Sequence, residues 1–158
     1  MKIYLAGPCD SEHRTLMNRV KKFLAFWTDA EIYAPWELKI ENAWDYTQEE
    51  WARYVFDADI TALNEADCVV MISVGRLSSA GTNWEQGYAY ANNKPIYVLQ
   101  ITDQPTSLMT WCGCSAFWNV DGTLINDLED KLKDIGRRIV NGQWSFAYCH
   151  NSCSTTLT

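Results

Sequence analysis

Three polar side chains stand where the surrounding pattern asks for an explanation: Glu85, Asp59 and Tyr4. Glu85 lies in Ser78-Ser79-Ala80-Gly81-Thr82-Asn83-Trp84-Glu85-Gln86-Gly87-Tyr88-Ala89, where a Gly/Ser-rich loop feeds a helix expected from about Thr82 to Asn93. An acid in the first turn of that helix has two readings. It answers the helix dipole, with Thr82 and Glu85 forming a capping box, or it is a carboxylate presented for nucleophilic or acid–base work. Asp59 follows Val55 by four residues and precedes Ala62 by three, so it borders the apolar stripe of its helix, whereas Asp57 points away. A carboxylate at that border needs a hydrogen-bond partner or a chemical role. Tyr4 sits in an apolar strand, near the end that would face a ligand. Its hydroxyl is either a core hydrogen bond or a group that reaches a sugar or a carboxylate.

The elements that must position these residues follow from periodicity. Lys2 to Ala6 reads as a buried strand closed by Gly7-Pro8. Leu16, Val20, Phe23, Leu24 and Trp27 recur at helical spacing, and Glu31 to Ala34 is a short strand stopped by Pro35. Residues 37–46 lack periodicity and read as a loop. Thr47-Gln48-Glu49-Glu50 has the form of a capping box opening a helix to about Ala66, with Trp51, Val55, Ala58 and Ala62 along one face. Asp67 to Ser73 is nearly all apolar, as expected of a strand covered on both faces. A fourth strand is expected at Pro95 to Ile101, a polar turn at Asp103 to Ser107 and a fifth strand at Ala116 to Val120. A final helix carries Leu124, Leu128, Leu132, Ile135 and Ile139. This alternation predicts an α/β fold: a single-domain Rossmann or flavodoxin-like sandwich with a largely parallel five-stranded sheet flanked by helices. The domain spans residues 1–142 and a C-terminal tail spans 143–158, with poor order expected of the tail. Ligands of such sheets sit beyond the carboxyl ends of the strands, which puts Gly7 to Asp10, Gly75 to Gly81 and the loop after Ile101 on one rim.

Bulk properties narrow the function classes. A length of 158 residues suits one domain. A net charge of -7 argues against gripping a nucleic-acid polymer, which needs clustered Lys and Arg, but leaves a single nucleotide within reach. No apolar run has the length of a membrane span, and Met1 to Gly7 is too short for a signal peptide, so a cytoplasmic location is expected. The cysteines at 9, 68, 112, 114, 149 and 153 lack the spacing of zinc knuckles, so reduced thiols and no metal are expected. Cys68 reads as core. No cofactor is expected either.

Four segments in register carry a resemblance: Lys2-Ile3-Tyr4-Leu5-Ala6-Gly7-Pro8, Asp59 with Ala66-Asp67, Gly81-Thr82-x-x-Glu85-x-Gly87-Tyr88-Ala89, and Lys94-Pro95. Together they resemble the nucleoside 2-deoxyribosyltransferase superfamily over roughly residues 2–101. The resemblance implies that Glu85 is the nucleophile, that Asp59 lines the base and sugar site, and that Tyr4 helps to hold the nucleophile. Gly7 and Gly81 belong to the matching substrate-binding segments. The chemistry suits these residue types: a carboxylate attacks the anomeric carbon through an oxocarbenium-like state, and a second acid or a water chain serves the departing base, with Asp59 the candidate. Attack by another base gives transfer; attack by water gives hydrolysis.

One departure bears on the substrate. Many of these transferases carry an aspartate six residues before the nucleophile, where this sequence has Ser79. The related deoxynucleoside 5′-monophosphate N-glycosidases carry serine there to receive the phosphate, which a carboxylate would repel. Glu12-x-Arg14-Thr15-Leu16 and Gly113-Cys114-Ser115-x-Phe117 also resemble that branch, in which a serine comparable to Ser115 reaches the phosphate of a neighbouring subunit's site. Pro8-Cys9-Asp10-Ser11, in contrast, lacks the arginine and glycines that branch uses to cradle phosphate. The expected activity is transfer of a deoxyribosyl group between bases. The alternative is hydrolysis of a nucleoside 5′-monophosphate, and a catalytically silent nucleotide-binding protein is a third class. The expected partners are a nucleoside or nucleotide and a free base, with assembly as a homodimer or larger homo-oligomer.

Overall fold

A computed structural model describes residues 1–120 and 125–143. Five strands form one sheet: β1 (Lys2–Ala6), β2 (Glu31–Tyr33), β3 (Cys68–Ser73), β4 (Ile96–Gln100) and β5 (Ala116–Asn119). Their order is β2-β1-β3-β4-β5, and every pairing is parallel. This is the flavodoxin-like order, whose switch point, where chain connections diverge to the two sides, lies between β1 and β3. The helices are α1 (Arg14–Thr28), α2 (Gln48–Glu65), α3 (Ala80–Ala91), α4 (Leu108–Cys112) and α5 (Ile125–Val140).

Strand alternation divides the core into two layers. Ile3, Leu5, Val70, Ile72, Tyr97 and Leu99 face α1 and α5, where Met17, Val20, Leu24, Leu132 and Ile135 cover them. Tyr4, Ala6, Val69, Met71, Ile96 and Val98 face the other side, with Leu63 of α2 and Ala89 of α3. β3 is buried at every residue, as its apolar run requires. The α1 stripe is turned by about one residue from the expected one. Met17, Val20, Leu24 and Thr28 are its buried members, while Leu16 and Phe23 pack partly buried at the margin.

α2 opens with the expected capping box: Thr47 Oγ1 accepts from Glu50 N, and the Glu50 carboxylate accepts from Thr47 N at 2.9 Å. Its apolar side differs from expectation. Only Leu63 is fully buried, and Trp51 is 45% exposed, because this stripe borders a cavity rather than the core. A single-turn 3₁₀ helix, Pro35–Glu37, leads into the segment read as a loop, and that segment holds a second, Ala43–Asp45. α4 follows the polar turn and has no counterpart in the sequence reading; five residues are too few for periodicity to register.

The rim loops abut as the sheet rule requires. Gly75 has φ +63°, and a Cβ there would stand 2.8 Å from Gln104 Cβ, so the loop after β3 packs directly on the loop after β4. The Gln100 side chain donates to Thr102 O and Gln104 O and ties that second loop down. Among the described residues no helix is long and apolar enough to cross a membrane. Leu124 and nearly all of the expected tail lie outside the described residues.

Candidate active site

Tyr4, Glu85, Asp59 and Tyr33 converge from four different elements. Tyr4 points to the α2/α3 side of the sheet, and its hydroxyl donates to Glu85 Oε1 at 2.8 Å. Parallel register pairs Tyr4 with Tyr33 across β1 and β2, so the two rings project from the same face as neighbours. They stack at 5.4 Å between centroids with 22° between planes. The Tyr33 hydroxyl donates to Asp59 Oδ1 at 2.8 Å. Each carboxylate thus takes one phenolic O–H on one oxygen, leaving Glu85 Oε2 and Asp59 Oδ2 for other work.

The capping reading of Glu85 is overturned. α3 begins at Ala80 rather than Thr82, and its N-cap is Ser79, whose Oγ accepts from Thr82 N at 3.1 Å. The first turn holds no acid, and Glu85 lies a turn further on. Helix geometry therefore does not account for this carboxylate. Burial pushes its acid up to about 7, although the Tyr4 hydrogen bond pulls it down; the charge of Asp59 adds to the rise. Burial also raises Asp59 above the ordinary carboxylate range, with the Tyr33 hydrogen bond opposing. Tyr4 itself is fully buried, and burial and the two acids push its hydroxyl up, so it remains a donor.

Glu85 and Asp59 share a cavity of about 530 Å³ between α2 and α3. Trp51, Val55, Phe56 and Trp84 give it an apolar, aromatic wall, and Ala80 and Gly81 line its end at the α3 N-terminus. Phe56 and Trp84 meet at 5.5 Å between centroids. Such a wall can stack a flat heterocycle, and the two acids can act on a bond held beside it. A larger groove on α1, lined by Arg19, Lys22, Phe23 and Phe26 among others, gathers no carboxylate.

The remaining expected site residues divide. Gly81 lines the cavity. Ser79 is exposed at the helix start, and its hydroxyl bonds that of Thr82 at 2.9 Å, which in turn donates to Gly7 O. Gly7 does not line the cavity. A Cβ there would meet Met17 Cε at 2.6 Å and Ile72 Cβ at 3.2 Å, so it allows close packing and ties β1 to α3. Ser115 is not gathered to the cavity within one chain. It is buried, and its Oγ accepts from Ile96 N at the amino end of β4.

Sequence reasoning misses Tyr33. The signal available is a tyrosine at the carboxyl end of the strand next to β1, legible only with the strand register in hand. For Cys9 the sequence predicts no more than a reduced thiol; burial first, then the charges of Glu85 and Asp59, push that thiol up, so it lies within their field. Asp10, Glu12 and His13 form an exposed cluster of potential ligand atoms, but none of them lines the cavity, and Asp10 is engaged with His13.

Comparison with known proteins identifies the family. The model of the family described as nucleoside 2-deoxyribosyltransferase matches residues 3–136. The chain belongs to that family. Members of it are N-glycosyl-bond enzymes. The chain is 29% identical over 135 residues to a putative 2′-deoxynucleoside 5′-phosphate N-hydrolase 1 of Thermofilum pendens, covering 85% of this chain and 92% of that protein. Among solved structures, a 2-deoxyribosyltransferase of Bacillus psychrosaccharolyticus superposes with a TM-score of 0.69 at 25% identity, covering 82% of this chain and 91% of that one. The CMP N-glycosidase BcmB of Clostridium botulinum superposes at 0.56 with 16% identity, over 84% of this chain and 98% of its own, and shares the fold. The family thus spans transfer and hydrolysis, and the nucleoside deoxyribosyltransferase fold accounts for the parallel sheet and its flanking helices.

Proposed function

We propose that this protein cleaves the N-glycosidic bond of a 2′-deoxynucleoside through a covalent glycosyl-Glu85 intermediate and passes the sugar to a second base. One observation carries the reading. Glu85 is a half-buried carboxylate with no capping duty, held on one oxygen by Tyr4 at 2.8 Å and facing a cavity that it shares with Asp59.

The sequence of bond changes balances. Glu85 Oε2 attacks the anomeric carbon, the C1′–N bond breaks, and its electron pair stays on the base nitrogen. That nitrogen takes a proton from Asp59, whose acid burial raises above its ordinary value. An acceptor base then attacks C1′, the C1′–Oε2 bond breaks, and the acceptor's N–H proton returns to Asp59. Two displacements retain the configuration at C1′. The aromatic wall of Trp51, Phe56 and Trp84 suits both the departing and the arriving base.

A second reading, hydrolysis of a 5′-monophosphate, is favoured by the end of the cavity at the α3 N-terminus. Ala80 and Gly81 line it, directly after the Ser79 N-cap, and the first turn of α3 holds no acid. Chromatography separates the two. The protein is incubated with deoxynucleosides or their 5′-monophosphates, with and without an acceptor base. Exchange only with acceptor supports transfer, whereas free base from a monophosphate without acceptor supports the hydrolase. Full activity of Glu85→Ala would sink both. The same reading extends to a homo-oligomer: Leu108, Met109 and Trp111 are 77%, 82% and 50% exposed side by side, an apolar surface that a second copy would cover. Light scattering that found only monomer would remove that extension.

A further inference from the structure

The sheet edge supplies a residue that the bond changes above do not use. Tyr33 closes β2, yet its side chain does two things at once. Its hydroxyl takes Asp59 Oδ1 at 2.8 Å, and its ring lies against that of Tyr4, the donor to Glu85. We propose that Tyr33 is a positioning residue for the leaving base. By holding Oδ1 it turns Oδ2 of Asp59 to the base and stabilises the carboxylate left after the proton is given up, while its ring keeps Tyr4 in line with Glu85. This rests on the function proposed above.

The geometry gives the role direction. Asp59 comes from α2, whose neighbouring turns are largely exposed, so the helix alone fixes its carboxylate poorly. The groups facing that carboxylate are Tyr33 from β2, Tyr4 from β1, Glu85 from α3 and Cys9 from the loop after β1, with Tyr54 of α2 beside Tyr33. None of these is a cation. Tyr33 is the hydrogen-bond donor that Asp59 has among them, and it opposes the rise that burial imposes on the acid. Its loss falls on the step in which Asp59 becomes an anion. A base that leaves without needing a proton bypasses that step.

Tyr33→Phe keeps the ring and removes the donor. With 2′-deoxyadenosine as sugar donor, kcat should fall about ten- to a hundredfold, the size expected for a hydrogen bond to a charged group. With 7-methyl-2′-deoxyguanosine, whose base departs neutral, the fall should stay under about threefold. The alkaline limb of the rate profile should move to higher pH with 2′-deoxyadenosine. In the background of Asp59→Asn, Tyr33→Phe should add little, because the two act as one unit. A carbon-13 carboxyl titration by NMR adds a readout independent of turnover: the Asp59 midpoint should rise in Tyr33→Phe. Equal losses on both donors, additive losses with Asp59→Asn, or an unmoved Asp59 midpoint would each overturn the proposal. A wild-type protein that cleaves neither donor would count against the proposed function instead, and the NMR titration would still decide the role of Tyr33.

Discussion

Replacing Glu85 by glutamine should abolish turnover and at the same time stabilise the fold, by an amount that depends on pH. The ordinary value for this carboxyl is 4.5, and burial raises it to about 7 in the folded chain. Below pH 4.5 the group is protonated in both folded and unfolded states, so it imposes no penalty. The penalty grows as pH rises from 4.5 and is complete above about 7, where the unfolded chain holds the ionised form more comfortably than the fold does. At about 1.4 kcal/mol per pH unit, the difference amounts to about 3 kcal/mol at alkaline pH. At about pH 5 it is under about 1 kcal/mol. The glutamine amide keeps an oxygen to accept from the Tyr4 hydroxyl, so the change removes charge and little else. Urea unfolding of wild type and Glu85→Gln at about pH 8 and about pH 5 reads the gain directly. A gain of equal size at both values, or a loss at about pH 8, would refute the idea that this carboxylate is held at a cost in stability to serve chemistry.

Other outcomes follow from the same contacts. Tyr4→Phe removes the donor that holds Glu85 down, so the acid limb of the kcat/KM profile, expected near 7 in the wild type, should move to higher pH and the plateau should drop; an unmoved limb would argue against that hydrogen bond. Ser79→Asp keeps a good helix cap but adds a carboxylate next to Ala80 and Gly81, which line the cavity's end. It should depress use of a 5′-monophosphate at least tenfold more than use of the free nucleoside, as read from kcat/KM on the two. Gly75→Ala forces a side chain into φ +63° and against Gln104, and should cost about 1–2 kcal/mol in urea unfolding. Trp84→Ala removes one face of the aromatic wall, and KM for the base should rise more than kcat falls.

Much of the fold is legible in the chain. The apolar runs at β1, β3 and β4, the capping box at Thr47 and Glu50, and the strand–helix alternation fix a parallel sheet with its ligand rim. What pattern does not reveal arises from tertiary context. α2 reads as a helix with one core-facing stripe, but Trp51 and Val55 line a cavity, and hydrophobicity alone does not distinguish a core wall from a pocket wall. Pattern misplaces the α3 start because Ser79, Thr82 and Glu85 offer two overlapping capping patterns, and only the backbone decides between them. Glu85, Asp59 and Tyr4 emerge from the ordered motifs. Tyr33 does not, because its partnership depends on the register of β1 with β2, which is a property of the sheet. Ser115 is expected at a substrate, and within one chain it braces β4.

The central claim is that Glu85 becomes covalently attached to the sugar. Mixing the enzyme with a deoxynucleoside in the absence of acceptor, quenching in acid and mapping the digest by mass spectrometry tests it most directly. The account predicts a deoxyribosyl group on the peptide that carries Glu85, absent in Glu85→Gln and discharged when acceptor base is added before the quench. Turnover with no adduct and with inverted configuration at C1′, or an adduct on a different residue, would contradict it.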